Sequence, residues 1–396
     1  MYKNKFIYLL VLLPLLVFSG CNEEPNNIGA NLLPPSDEIN LSTWNTLNNP
    51  IDENSFFFRD TISLSYSNTV LLGSYNQAKS YLLVKFLISL PDSIKNALAA
   101  DSLTFVEAWL SSAIKYKLGD GSNLDFTAHK INSNWNAGTF TLDSLASLEY
   151  NPQDVYLSQE LTDSTFKFHI QPDAPKEWLY NQVNSDSAHN YGIYLQPNAG
   201  GNLILGFPAL SSALSTSRIK LTCVTRILGS AKLDTLGFYT SADVHVVERP
   251  IPANITHKML LQAGTGVRSG LFFDFSSFPK STIINKATLK IFYDITEAEF
   301  GTNKSDTLVL NVFADSSART LNTALGTEYL FGDSTTFSGE LTSFVQKWVD
   351  SSAVNQGMQI NLSDEETTAN QLLLYGADYP DSTKRPQLEI LYTKMR

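Results

Sequence analysis

The chain has 396 residues and 39 acidic against 28 basic side chains, a net charge of −11, and its length suits two domains better than one. That balance argues against nucleic acid as a partner, and the acidic field also repels polyanions unless a local basic groove overcomes it. No basic run of that kind stands in the sequence.

At the N-terminus Lys3 and Lys5 precede an apolar run from Phe6 to Phe18, then small Ser19 and Gly20 before Cys21. Such a run falls short of the roughly 20 residues that span a bilayer, and with its basic start and small-residue end it reads as a secretory signal, residues 1–20. Phe18-Ser19-Gly20-Cys21 resembles the bacterial lipobox, departing from it at Phe18, where Leu is usual. The resemblance implies acylation of Cys21 and a stable membrane anchor, since each buried methylene adds about 0.8 kcal/mol. Asn22 after the cysteine is no inner-membrane retention signal in lipoproteins of this look, and the acidic Glu23 and Glu24 resemble signals for display on the outer surface. The competing reading is an ordinary secreted protein with a chance cysteine at the cleavage point.

Residues 21–55 are rich in Asn, Pro and acids without apolar periodicity and read as a lipidated tether, with a reach of about 30 Å if flexible. The remainder repeats. Asn68 to Phe86 aligns without a gap with His257 to Phe275, Lys79-Ser80 meeting Arg268-Ser269. Further on, Glu107-Ala108-Trp109-Leu110 matches Lys286-Ala287-Thr288-Leu289, and Asn190-Tyr191-Gly192-Ile193 matches Asn355-Gln356-Gly357-Met358. Finally Arg218-Ile219-Lys220-Leu221 matches Arg385-Pro386-Gln387-Leu388. The spacing predicts a duplication, with domains at 56–228 and 229–396.

Each copy alternates apolar and polar residues in short runs such as Met358-Gln359-Ile360-Asn361-Leu362, the pattern of sheets packed on one face. The predicted fold is all-β: two tandem jelly-roll-like β-sandwiches, each with one short helix. One helix is expected near Gly339, where Leu341, Phe344, Val345 and Trp348 share a face, and the other from Pro175 through Trp178, Leu179 and Val183. Trp178 and Trp348 are therefore predicted core residues. Cys223 alternates with Ile219 and Leu221 and is predicted to be buried. The recurring Arg218 and Arg385 point to a structural role over a carboxylate.

The Ala-x-Leu strand, the short helix ending near a Trp, the Asn-x-Gly-(Ile/Met) strand start and the closing Arg-x-x-Leu strand resemble the DNRLRE domain, in two copies over about residues 60–395. The resemblance implies a carbohydrate-binding-module-like sandwich on a secreted bacterial protein. The chain departs from it in having Trp135-Asn136-Ala137-Gly138 without a second Trp at Leu142, and in lacking any Trp at that place in the second copy.

A sugar site on a sheet needs an exposed ring and polar neighbours. Alternation from Ala108 to Leu118 predicts Trp109, Ser111, Lys115 and Lys117 outward, so Trp109, Lys115 and Lys117 are candidate glycan-binding residues, with Trp135 next. The bland alternatives have Trp109 packed under a loop or against the second copy, and Trp135 as a structural plug. Asp120, Asn123 and Asp125 have loop spacing that could hold a structural calcium, although acidic Gly-containing turns also arise for backbone reasons. No Gly-x-Ser-x-Gly elbow or His-Glu-x-x-His helix occurs, and the five histidines lack ligand spacing. The expected function is non-catalytic glycan binding at the cell surface. The rivals are an adhesion or assembly subunit that binds an envelope protein and, third, a polysaccharide-degrading enzyme.

Overall fold

Alternation becomes antiparallel strand through nearly half of the described residues, 41–184 and 189–394 of a computed structural model. Residues from Thr43 onward form one compact unit. The predicted signal segment, Cys21 and most of the tether lie outside the described residues.

Strands β1 (Leu41–Asn45) and β2 (Glu53–Arg59) come first. The first half follows with β3 (Thr69–Tyr75), β4 (Ala78–Phe86), helix α1 (Asp92–Ala99), β5 (Leu103–Ala113), β6 (Tyr116–Gly119) and β7 (Phe126–Lys130). It continues through β8 (Tyr156–Leu161), β9 (Thr165–Ile170), α2 (Lys176–Tyr180), β10 (Ile193–Pro197), β11 (Leu203–Pro208) and β12 (Lys220–Ile227) to the long β13 (Leu233–Glu248). The second half holds β14 (Lys258–Gln262), β15 (Val267–Phe273), β16 (Thr282–Phe292), β17 (Thr307–Asp315), β18 (Thr320–Leu321) and β19 (Thr327–Gly332). It ends with β20 (Thr336–Glu340), α3 (Thr342–Val349), β21 (Met358–Leu362), β22 (Gln371–Tyr375) and β23 (Gln387–Lys394).

The pairings repeat. β3 and β4 form a hairpin as β14 and β15 do, β11 and β22 pair with the first strand of each, and β10 and β21 with the second. β5 lies between β12 and β9, as β16 lies between β23 and β20. The sheets curl so that each half encloses its own apolar cluster, one drawn from Val70 to Phe238 and one from Met259 to Tyr392. Trp178 packs on Phe86 (6.1 Å) and Trp348 on Phe275 (5.9 Å), equivalent rings on equivalent partners, and both tryptophans are buried as predicted. Cys223 is fully buried, which pushes its thiol up to about 12 and leaves it protonated.

Four details differ from the sequence reading. The repeat set the boundary between the copies at 228/229, but β13 pairs with β12 and β4 and carries the first half to Glu248. The N-terminal tether was expected to reach residue 55, yet the chain is strand at β1 and again from Glu53. The reason is apolar: Trp44 and Ile51 pack against the second cluster, Trp44 edge-on to Phe278 at 5.6 Å. Phe56 to Arg59, assigned to the first copy, pair instead with β15 of the second half, Phe58 opposite Arg268. One helix was predicted for each copy, but the first half holds two, α1 lying between β4 and β5 and burying Ile94, Ala97 and Leu98.

The halves meet across a polar seam. Tyr116 is buried, its hydroxyl donating to Asn370 Oδ1 (2.8 Å) and accepting from the Ala369 amide (3.2 Å). Arg249, also buried, donates to the Ala369 carbonyl (3.0 Å) and pairs with Glu299, which accepts from Asn76 on the first half (2.7 Å). Groups buried and paired in this way lose much if separated, so the seam holds the halves in one relation.

Candidate functional site

The outward face of the β13-β12-β5-β9-β8 layer gathers the best candidate surface. Directly opposed residues on antiparallel strands share a face, and here one row reads Gly237, Thr222, Trp109, His169 and Ser158. The neighbouring row reads Tyr239, Lys220, Ser111, Lys167 and Glu160. Trp109 therefore points away from the core, as the alternation predicted, and is half-buried. What touches it are side chains of the same face: Lys167 Nζ stands 5.1 Å from the ring centroid, and the His169 ring 6.0 Å away.

Polar side chains around the ring are paired. His169 Nδ1 lies 3.4 Å from Glu107 and its Nε2 3.3 Å from Glu160, while Lys167 reaches Glu160 at 2.9 Å. The hydrogen bonds from Lys167 and then His169 hold the Glu160 carboxyl below its ordinary range. At the far side Tyr239 is 51% exposed with Lys220 Nζ over it at 5.4 Å. A Cβ at Gly237 would sit 2.6 Å from Lys220 Cε, so this glycine gives the lysine room to lie beside Tyr239. The result is a shallow platform of two aromatic rings among fixed donors and acceptors. It has the chemistry to stack a pyranose ring and take its hydroxyls.

Lys115 and Lys117 are not on this face. β5 ends at Ala113, and the chain crosses to the other layer, where β6 pairs with β11. Lys115 Nζ donates to Asn68 Oδ1 (2.6 Å), and burial lowers its pKa. The Lys117 backbone meets Thr302 of the second half, its N–H donating to the hydroxyl (3.1 Å) and its carbonyl accepting the Thr302 amide (2.7 Å). The alternation continues across a change of sheet, which is why it groups both lysines with Trp109. Sequence reasoning in turn missed His169, Lys167, Tyr239 and Lys220, which reach the platform from other strands; only pairing register brings them there.

Trp135 donates from Nε1 to the Tyr191 carbonyl (2.7 Å) and packs edge-on to Phe140 (6.3 Å), so it pins its loop to the body. Of the calcium candidates, Asp120 is exposed, Asn123 Oδ1 accepts from Gln159, and Asp125 accepts from Asn198 (2.8 Å). Among the described residues no group of three or more His, Cys, Asp or Glu side chains is placed to hold a metal ion. The second half carries Thr288 at the position of Trp109, opposed by Glu340 and Glu389, and so presents acids where the first presents a ring.

Compared with protein-family models, curated proteins and solved structures, the chain matches none of them.

Proposed function

We propose that this chain is a non-catalytic, exported lipoprotein, held at the outer membrane through Cys21, whose DNRLRE-like sandwiches bind a glycan through the Trp109 face. The observation that carries the reading is the outward Trp109 set across β12 from Tyr239, with Lys167 and His169 beside the first ring and Lys220 over the second. Each lysine and the histidine has an acid or a ring beside it, and the whole chain is acidic. The platform therefore suits a neutral polysaccharide better than a uronic-acid polymer. Affinity electrophoresis in gels containing neutral or acidic polysaccharides tests this. Retardation by a neutral glycan, lost in Trp109→Ala with the melting temperature unchanged, is the expected result; equal retardation of both proteins removes Trp109 from the site.

A second reading, a protein-binding assembly subunit, draws on β19. There Tyr329 and Phe331, two apart and hence on one face, are 48% and 65% exposed. Loss of a co-purifying envelope protein on Phe331→Ser, with no glycan signal in the unmodified chain, would favour it.

A further inference from the structure

Strand β13 closes the first half in two steps. Its N-terminal part pairs with β12, Phe238 opposite Leu221; after a bulge at Thr240/Ala242, its C-terminal part pairs with β4, from Ala242 opposite Lys85 to Glu248 opposite Lys79. The second half has no strand after β23 among the described residues. The same two positions are filled by the far end of the chain, β1 beside β23 and β2 against β15. The register is the same. Lys79 and Arg268 are equivalent and face Glu248 and Phe58; Val84 and Phe273 are equivalent and face Asp243 and Glu53. By that register Glu53 stands where Asp243 does, and Arg59 where Arg249 does.

The side chains agree with the backbone. Asp243 is buried within the field of Arg218, and Glu53 within that of Arg385, so the two repeating arginines each face a carboxyl on the closing strand. Arg218 donates to the Ser212 carbonyl (2.5 Å) and Arg385 to the Tyr379 carbonyl (2.6 Å), in each case six residues back. The equivalent amides of Leu210 and Ala377 are capped from the closing strand as well, by Asp243 Oδ2 (2.7 Å) and Ser55 Oγ (2.8 Å). Where the strands lead out toward the other half, Arg59 donates to the carbonyl of its counterpart Arg249 (2.9 Å).

We infer that residues 43–59 are a donor segment: they complete the second half in the place β13 holds in the first, so the two halves are joined by strand complementation as well as by the chain. Residues 60–248 contain all the strands of the first half, whereas residues 249–394 lack their closing strands. The recipient is the edge formed by β15 and β23, and its occupant is this chain's own N-terminal segment. Tension applied through the N-terminus is then taken first by the second half, although the first half follows next in sequence.

Cysteine pairing in the full chain tests the donor assignment. Asn54 lies opposite Phe272, and the equivalent position in the first half is Leu83. Oxidation of the Asn54→Cys, Phe272→Cys protein should give an intrachain disulfide in most molecules, because opposed residues are within bridging distance; Asn54→Cys with Leu83→Cys should not. Buried Cys223 serves as the unreactive internal control. In a second measurement a protease site replaces residues 62–65 of the β2–β3 linker. The nicked protein should retain its N-terminal piece, and washing that piece out with urea should remove hydrogen-exchange protection from residues 269–273 and 387–391 before the first half loses any. A bridge at the Leu83 position, a bridge between two chains, or loss of the piece with protection of the second half intact would each overturn the inference.

Discussion

His245 sits in the middle of β13, fully buried opposite Leu82, and neither ring nitrogen has a hydrogen-bond partner among the described residues. An imidazole so placed cannot accept a proton cheaply, and burial alone lowers its pKa from 6.5 to about 3. The unfolded chain binds a proton below about 6.5 and the folded chain does not until about 3, so the folded state is at full advantage above 6.5 and loses it as the pH falls. Each pH unit in that window is worth about 1.4 kcal/mol, hence about 2 kcal/mol by pH 5. His245→Met keeps the volume, removes two unmet polar atoms at a benefit of roughly 1–3 kcal/mol at neutral pH, and abolishes the acid loss.

Urea unfolding of both proteins at pH 7.5 and 5.0 gives a double difference from which other titrations cancel. That cancellation matters because two carboxyls, Asp243 buried and Glu53 partly buried, work the other way. Burial raises Glu53 to about 7 and Asp243 to about 6, so each favours the folded state in acid and loses that contribution as the pH rises through those values. Asp243 is two residues from His245 on the same face, and the comparison is repeated with Asp243→Asn in both proteins to remove their coupling. Equal acid losses in the wild-type and His245→Met proteins would refute the reasoning, since the imidazole would then be titrating normally.

Asp243→Asn alone should flatten the decline in stability between pH 4 and 7.5, measured by the same unfolding curves, because the amide can still accept the Leu210 N–H but has no charge to bury. Trp178→Ala should cost about 3–5 kcal/mol and Trp348→Ala a comparable amount, each seen as a fall in urea midpoint, since both leave large cavities beside a phenylalanine. Gly73→Ala should destabilise by more than about 1 kcal/mol in thermal melts: the backbone φ there is +124°, and a Cβ would lie 2.2 Å from the Leu203 carbonyl oxygen of the paired strand. Cys223 should resist thiol reagents in the native protein and react stoichiometrically in urea, as mass spectrometry would show.

What could be seen in the sequence was whatever depends on near neighbours. Period-two alternation placed Cys223 and Trp109 on opposite sides of their sheet, and the i, i+3, i+4, i+7 spacing placed Trp348 in the core; both describe a side chain relative to its own strand or helix. What failed was reach. Nothing local marks the crossing between Ala113 and Tyr116, because a strand that changes sheet can keep its alternation while its faces acquire new neighbours. Lys115 and Lys117 went astray for that reason. The platform's other members come from β8, β9, β12 and β13, and no spacing along β5 could have named them. The N-terminal strands were hidden differently. Only Glu53 and Arg59 share chemistry with their counterparts Asp243 and Arg249, while Phe58 and Glu248 share none, so the likeness of β2 to the end of β13 becomes plain only through the strands they face.

The two halves keep the same interior contacts and differ outside. Phe86 with Trp178 corresponds to Phe275 with Trp348, and the Ser80 hydroxyl bonds the Leu71 carbonyl as Ser269 bonds Leu260, each at 2.9 Å. On the outer face Trp109 corresponds to Thr288, and His169 gives way to acids around it. Interior positions are bound to one another by packing, so a change at one has to be answered by its neighbours, while an outward side chain on a sheet answers only to solvent and ligand. Two halves with matching strand pairings can therefore keep like interiors while one outer face carries a ring and the other a pair of carboxylates. If the Trp109 platform binds sugar, the equivalent surface of the second half lacks the stacking surface to do so. Its contribution is then to hold the chain's N-terminal segment in its sheet and, through the Tyr116 and Arg249 seam, to fix how the first half is presented.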